Sequence, residues 1–523
     1  MPGWLLSLSV FTAGMTTLGI EITASRLLGS VFGTSNIVWA NIIGLILVYL
    51  SVGYFIGGRL ADRYPDGTNY LRLLTWASFA SGLVPILARP VLLRAASAVE
   101  NLNAAVMLGS FGAVLILFSV PVTLLGCVSP YAIRLAITDA TQAGRISGRM
   151  YAISTFGSIL GTFLPVLLLI PWIGTRLTFL VFSLALMLIA LIGLTLARPS
   201  QALRYAWMPI LLLILYWWLA FRPLKDTEGQ IIEAESSYNY IQVVEREGTR
   251  YLLLNEGQGI HSVYNPKQDA TFGTWDYFLA APFFNDAPIS LASVKRLGLV
   301  GLAGGTIAKQ YSKVFGPVPI DGWEIDPQIV EIGRQYFAMN EPNLNPIIAD
   351  GRWGLTHSGN VYSVIGVDAY RLPYIPWHLT TREFFQEVHD HLTPDGVLVI
   401  NVGRTMDDRR LIHAMVGTLD AVFQSVHVVD VPSTFNTIIY ATRDETRAEN
   451  LLANFTTLSQ EGAPELLLDV LERTFLHLQP TPQSDVVFTD DRAPIERLTD
   501  SITIRFVLGG NVAHLQEQPA VSP

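Results

Sequence analysis

Three carboxylates, each at the end of a short apolar run, are the residues whose type and spacing could do chemistry here: Glu324 after 318–323, Asp350 after a run near Ile347, and Asp368 after 363–367. The run before them, 297–300, enters a turn with Gly301, Gly304 and Gly305, and a helix is predicted from about Thr306. Glycines let a backbone approach a ligand closely. An acid about twenty residues further on, at the end of the next strand, is placed to accept hydrogen bonds from ribose hydroxyls, so a nucleoside is the expected ligand. The loop reads GLAGGT rather than G-x-G-x-x-G, which leans away from a dinucleotide. Each acid taken singly could be a helix N-cap or a turn residue. Ligands of open α/β sheets bind beyond the carboxyl ends of strands, and three acids in register would share one such rim.

The elements that must position this rim follow a βα alternation. A helix is predicted from about Pro327, Thr380 with Glu383 forms a capping-box pattern opening another, and VLVINV supplies a further strand. Upstream, YNYIQVVER, TRYLLLNEG and GIHSVYN read as hairpin strands separated by Gly248 and Gly257, and TWDYFLAAPFF as an apolar helix leading into the core. The predicted architecture is an α-helical multi-span membrane bundle over 1–221, a polar linker over 222–235, a small β-subdomain with its lead-in helix over 236–290, an α/β Rossmann-like nucleoside domain over 291–500, and a tail over 501–523.

Composition supports two unlike halves. Across 523 residues half are hydrophobic and the mean hydropathy is +0.39, too apolar on average for a soluble chain and too long for one domain. The formal charge of −9, with no Lys/Arg-rich tract, excludes a nucleic-acid footprint. Cys127 is the single cysteine, so no intramolecular disulfide or cysteine metal cluster can form.

Seven apolar runs are long enough to be membrane spans: 4–31, 37–58, 70–88, 104–126, 151–173, 177–197 and 206–221. The first is too long for a signal peptide and lacks its basic start and cleavage site, so it is expected to stay as a membrane helix. Glu21 and Arg26 are expensive inside such a run; they are expected to face the bundle interior as a pathway, or to form an ion pair near a helix end. The loop cations from Arg59 to Arg204 gather on one side, which the positive-inside rule makes cytoplasmic, and seven spans would then place the C-terminal half outside. A nucleoside cosubstrate of the cytosol argues the reverse. The expectation is therefore a multi-pass cell-membrane protein with a cytoplasmic catalytic domain and a miscount in 91–137 or 206–221.

The run SSYNYIQVVE, LLLNEG, VGLAGGT, WEIDP, ADGR, VDAY, LTTREFF and TDDRAPIERL resembles the spermidine synthase (polyamine aminopropyltransferase) family in order and spacing over about 236–500. With the preceding helices it looks like the membrane-fused branch of that family, and GGRLADRYP resembles a short loop of major facilitator transporters. The resemblance implies a seven-stranded methyltransferase-type sheet and decarboxylated S-adenosylmethionine as donor, with methylthioadenosine as product, no tightly bound cofactor and no metal. Carried onto this sequence, Gly301, Gly304 and Gly305 would pass the donor's sulfonium end, Glu324 beside Ile325 would hold the ribose, Asp350 with Gly351 the adenine, and Asp368 would take the amine's proton. A neutral amine attacks the carbon beside a sulfonium, so the site needs a carboxylate to orient and deprotonate it and otherwise mainly positioning.

Departures concern the acceptor. The family's D-[SA]-x-D reads Asp368-Ala369-Tyr370-Arg371, its Y-[HQ]-E reads Trp275-Asp276-Tyr277, its tyrosine-glutamine pair reads Tyr238-Asn239, and its L-D-G reads Leu254-Asn255-Glu256-Gly257. A rebuilt amine pocket is expected, with Asp276 and Glu256 restoring negative charge, Arg371 opposing a diamine, and Tyr238, Tyr370, Tyr374 and Trp377 packing on the chain. The same residues would serve equally as packing. Expected partners are a small amine or polyamine and the lipid bilayer, with a homodimer left open. Two other readings stand: an S-adenosylmethionine-dependent methyltransferase, and a transporter-like protein with a nucleoside-sensing domain.

Overall fold

The computed structural model describes residues 1–32, 36–100, 105–220, 225, 227–255, 259–370, 375–405 and 407–508. They divide into two compact units: Met1–Glu228 with Glu233–Tyr240 and Asn255–Gly257, and the remainder.

The first unit is helical. Its long helices are Gly3–Phe32, Asn36–Arg63, Gly67–Glu100, Ala105–Gly126, Ala143–Leu164 and Ile170–Ala197, followed by the shorter Trp207–Ala220. Small residues set its packing. A Cβ on Gly157 would lie 2.0 Å from the Phe11 carbonyl oxygen and one on Gly161 2.1 Å from that of Met15, so only hydrogen lets these two helix backbones meet. Among the described residues six stretches are long and apolar enough to cross a membrane, against the seven expected. The fifth and sixth expected runs form a single 55-residue stretch, Ala143–Ala197. Its non-helical residue is Gly174 at φ 77°, in the gap between the expected runs 151–173 and 177–197. The backbone N–H freed at Thr175 donates to Glu235 Oε2 at 2.5 Å. Arg26 donates to the backbone carbonyls of Tyr238 at 2.9 Å and Ser236 at 3.1 Å, within this same unit.

The other unit holds two sheets. Strands β1 (Gln230–Glu235), β2 (Tyr240–Arg246), β3 (Thr249–Leu254) and β4 (Ile260–Tyr264) form a four-stranded sheet in sequence order. Its first strand lies in the stretch expected to be linker and straddles the division between the units, because QIIEAE extends once a partner strand accepts its backbone groups. The larger sheet contains β5 (Leu297–Val300), β6 (Ile320–Glu324), β7 (Leu344–Ile348), β8 (Tyr362–Val367), β9 (Leu392–Gly403), β10 (Ser425–Asp430), β11 (Asn436–Thr442) and β12 (Leu478–Gln479). The order is β12-β10-β11-β9-β8-β5-β6-β7. Strands β7, β6, β5, β8 and β9 run parallel, and β11, β10 and β12 add antiparallel pairs. The sheet has eight strands rather than seven, because the two-residue β12 is too short to show periodicity and forms only on the edge of β10.

Both faces of the parallel strands are covered, which is why LGLV in β5 is buried at every position. One layer packs Phe278, Phe283, Tyr311 and Val399; the other packs Trp323, Phe384, Ile412 and Ile400. The predicted lead-in helix is a 3₁₀ helix, Asp276–Phe284, whose nine residues are all buried, with Pro282 inside it. The helix Arg382–Asp390 is capped by Thr381, which accepts from Phe384 N at 3.3 Å. Thr380 instead donates to the Trp377 carbonyl at 2.7 Å, so the N-cap lies one residue past its predicted place and, with Phe384 at the third helical position, the Thr-x-x-Glu box does not form.

Candidate active site

The carboxyl ends of β5, β6 and β8 deliver the glycine turn, Glu324 and Asp368, and the turn after β7 delivers Asp350. Gly301 has φ 93°, and a Cβ there would sit 2.7 Å from the Asp368 carbonyl group, so the turn lies directly on the Asp368-Ala369 peptide. Gly305, at φ 84°, opens the helix Thr306–Phe315, and a Cβ there would meet Met339 Cγ at 2.5 Å. Strand β4 clamps the turn from outside. Gly304 N donates to Ser262 Oγ at 2.8 Å, and the Thr306 hydroxyl exchanges hydrogen bonds of 3.0 Å with both backbone groups of Val263. Sequence reasoning missed this clamp, since Ser262 and Thr306 carry no local signal of meeting.

Glu324 is 8% exposed. Its Oε2 accepts from Ala303 N at 3.0 Å and its Oε1 from Asp326 N at 3.1 Å. Burial dominates these contacts and pushes the carboxyl up to about 7. A carboxylate offers about four acceptor positions, so roughly two remain for hydroxyls. Ile325 beside it is 42% exposed. Asp350 caps the helix Gly351–Thr356: Oδ1 accepts from Arg352 N at 3.1 Å and Trp353 N at 3.0 Å, and Oδ2 pairs with His378 Nε2 at 2.9 Å. The His378 hydrogen bond first, then those backbone N–H groups, hold this carboxyl below its ordinary range. A Cβ on Gly351 would meet Val300 Cγ1 at 2.4 Å, which ties the turn after β7 to β5.

Asp368 is partly buried and is pushed up to about 6 by burial, against the opposing hydrogen bonds from Asn401 and Trp275. Asn401 Nδ2 donates to Asp368 Oδ1 at 2.9 Å, and the Tyr370 hydroxyl donates to the Asn401 carbonyl at 2.9 Å. Burial and the Asp368 charge hold the Tyr370 phenol protonated. Asn401 Oδ1 is a buried acceptor that no group among the described residues satisfies. Asn401 was missed in the sequence; the available signal was a lone amide inside VLVINV.

The acceptor-side expectations divide. Trp275 and Tyr370 join Asp368. Asp276 does not: it is fully buried and accepts from Thr271 N, Thr271 Oγ1, Phe272 N, Gln310 Nε2 and Arg473 Nη2 at 2.6–3.1 Å. With five donors on one carboxylate it anchors the fold and offers an amine nothing. Tyr238 and Asn239 belong to the first unit, where Asn239 Oδ1 accepts from Asn255 Nδ2 at 3.0 Å and Tyr238 is 43% exposed. Trp377 is 45% exposed. Arg371, Tyr374, Glu256 and Gly257 lie outside the described residues.

Residues 304–453 match the model of the spermine/spermidine synthase domain. Over 281 residues the chain is 31% identical to a protein of Bifidobacterium longum named a probable polyamine aminopropyl transferase, covering 51% of this chain and 61% of that relative. Over 214 residues it is 31% identical to the polyamine aminopropyltransferase of Vibrio vulnificus, covering 38% of this chain and 67% of the relative. It is also 29% identical over 191 residues to the human eEF1A lysine and N-terminal methyltransferase, covering 34% of this chain and 25% of that protein. The matched segment contains Gly304, Gly305, Glu324, Asp350 and Asp368, and through it the chain belongs to the spermine/spermidine synthase family of transferases.

Proposed function

We propose that the protein is a membrane-anchored aminopropyltransferase that uses decarboxylated S-adenosylmethionine and an amine acceptor. The observation that carries this is Asp368: a carboxylate lifted to about 6, oriented by two hydrogen-bond donors and lying against the glycine turn. The amine lone pair attacks the methylene carbon beside the sulfonium and the C–S bond breaks. Its electrons pass to sulfur, releasing neutral methylthioadenosine, and the proton leaves the new ammonium for Asp368. A base with a pKa near the working pH suits that transfer. Glu324 and Asp350 hold the nucleoside, Asn401 Oδ1 accepts a second N–H of the amine, and Trp275 and Tyr370 keep Asp368 in place.

Membrane anchoring is supported by the six apolar stretches and by large side chains left exposed on them, Phe55 at 73%, Leu167 at 65% and Trp172 at 78% among them. A cytosolic donor places the catalytic unit on the cytoplasmic side. The test supplies purified protein with radiolabelled decarboxylated S-adenosylmethionine and a panel of diamines and amino-acid-like amines. Label appearing on an amine together with methylthioadenosine is the expected result. Methyl transfer to an acceptor when S-adenosylmethionine is supplied instead would replace this reading with the methyltransferase one, the activity in the human relative's name.

A further inference from the structure

The Thr489-Asp490-Asp491 motif near the C-terminus has no role in the chemistry above, yet its contacts lead back to the nucleoside carboxylate. Asp490 receives Arg352 through two parallel hydrogen bonds of 2.8 Å, Nη1 to Oδ1 and Nη2 to Oδ2. It also accepts from the Thr381 hydroxyl at 2.7 Å, while its own N–H donates to Glu383 Oε2 at 3.0 Å. The far side of the same guanidinium holds Glu387 through Nε and Nη2, both at 2.7 Å. Nη1 also donates to the His378 carbonyl at 3.2 Å. Arg352 thus fixes the backbone of the segment whose imidazole reaches Asp350.

At Asp350 the satisfiability count is informative. Of about four acceptor positions on a carboxylate, backbone N–H groups take two and His378 Nε2 a third. One is left, on a side chain 37% exposed. Two N–H groups from its own helix and one from a separate segment lock the rotation of the carboxylate plane, so the remaining lone pair has a fixed direction. Without His378, Oδ2 would be shared between water and ligand.

We propose that His378 and, through Arg352, Asp490 form a buttress that presents the one spare lone pair of Asp350 to the exocyclic amino group of the donor's adenine. This rests on the nucleoside reading of Asp350 above. His378 and Asp490 are positioning residues, and the C-terminal motif becomes part of donor recognition although it touches no ligand.

The test is titration calorimetry of the full-length protein with methylthioadenosine, paired with steady-state kinetics. His378→Ala and Asp490→Asn are each expected to weaken binding about three- to tenfold, the worth of one oriented hydrogen bond. KM for the donor should rise while kcat at saturating donor stays native. His378→Gln, which keeps an N–H donor at similar reach, should recover most of the affinity. Thermal unfolding checks that each variant is folded, and the His378 pair carries the test if Asp490→Asn is not. Unchanged or tighter binding in His378→Ala, with Asp350→Ala still weakening it, would overturn the buttress; tighter binding would mean that His378 stands where the adenine must go. If native protein binds no methylthioadenosine, or Asp350→Ala binds it as well as native, the nucleoside reading itself fails and the buttress falls with it.

Discussion

Strand β6 carries two buried acids three residues apart, Asp321 toward one edge of the sheet and Glu324 at the other. Asp321 accepts from Arg296, Asn345, Asn360 and Tyr362 at 3.0–3.1 Å, four side-chain donors from the elements that start the neighbouring strands. Glu324 accepts from backbone N–H groups and, among the described residues, from no side-chain donor, and burial raises it to about 7. At the amino edge four side-chain donors close on one carboxylate, three on Oδ2 and one on Oδ1. At the carboxyl edge the sequence leaves lone pairs open and accepts the desolvation penalty. That asymmetry separates an acid that holds the fold from one kept for a ligand, and it applies equally to Asp276 against Asp368.

Changing the most exposed consequence of this contrast should give the largest effect. Asp368→Asn keeps shape and removes the base, and kcat is expected to fall about 10²–10⁴-fold with methylthioadenosine affinity retained. Full activity in that variant would remove Asp368 from the mechanism. At the saturated end, Asp321→Ala strands a guanidinium, two amides and a phenol, and should lower stability by about 2–4 kcal/mol without altering nucleoside affinity in the folded protein. Chemical denaturation and calorimetry on the same sample separate the two outcomes.

Glu324→Gln should weaken nucleoside binding by about 1–3 kcal/mol, and it should also stabilise the ligand-free protein above pH 7. The sign follows from linkage. A carboxyl raised from 4.5 to about 7 on folding contributes stability that is whole below pH 4.5 and is lost as pH rises through 7. At about 1.4 kcal/mol per pH unit the loss is on the order of 3 kcal/mol, and glutamine does not suffer it. A variant that loses affinity without gaining stability at pH 8 would show that Glu324 is ionised at no penalty. The smallest effect is in the pH profile. With Asp368 at about 6, kcat at saturating donor should drop about tenfold between pH 7 and pH 5. A flat profile over that window would mean that the proton leaves by another route.

Much of the carboxyl rim was legible because it obeys short-range rules. A strand followed by glycines and a helix, an acid at the next strand end, and further acids one βα unit apart all lie within about seventy residues, and apolar periodicity places each strand end. The apolar stretches were legible for the same reason, and the gap that composition leaves between the runs 151–173 and 177–197 holds Gly174, where the backbone leaves helical φ/ψ. What the sequence could not assign is the use to which each polar side chain is put. Asp276 and Asp368 look alike in a string of letters. The difference is that Gln310 and Arg473, 34 and 197 residues from Asp276, close on it, while Asn401, 33 residues away, reaches Asp368. Arg26 likewise meets carbonyls 210 and 212 residues away, and Ser262 finds Gly304 across a strand and a turn. Hydrogen bonding saturates only when distant chain segments arrive, so the residue types and their rim were determined by the sequence itself, and which acids keep a lone pair for a substrate was decided by the tertiary structure.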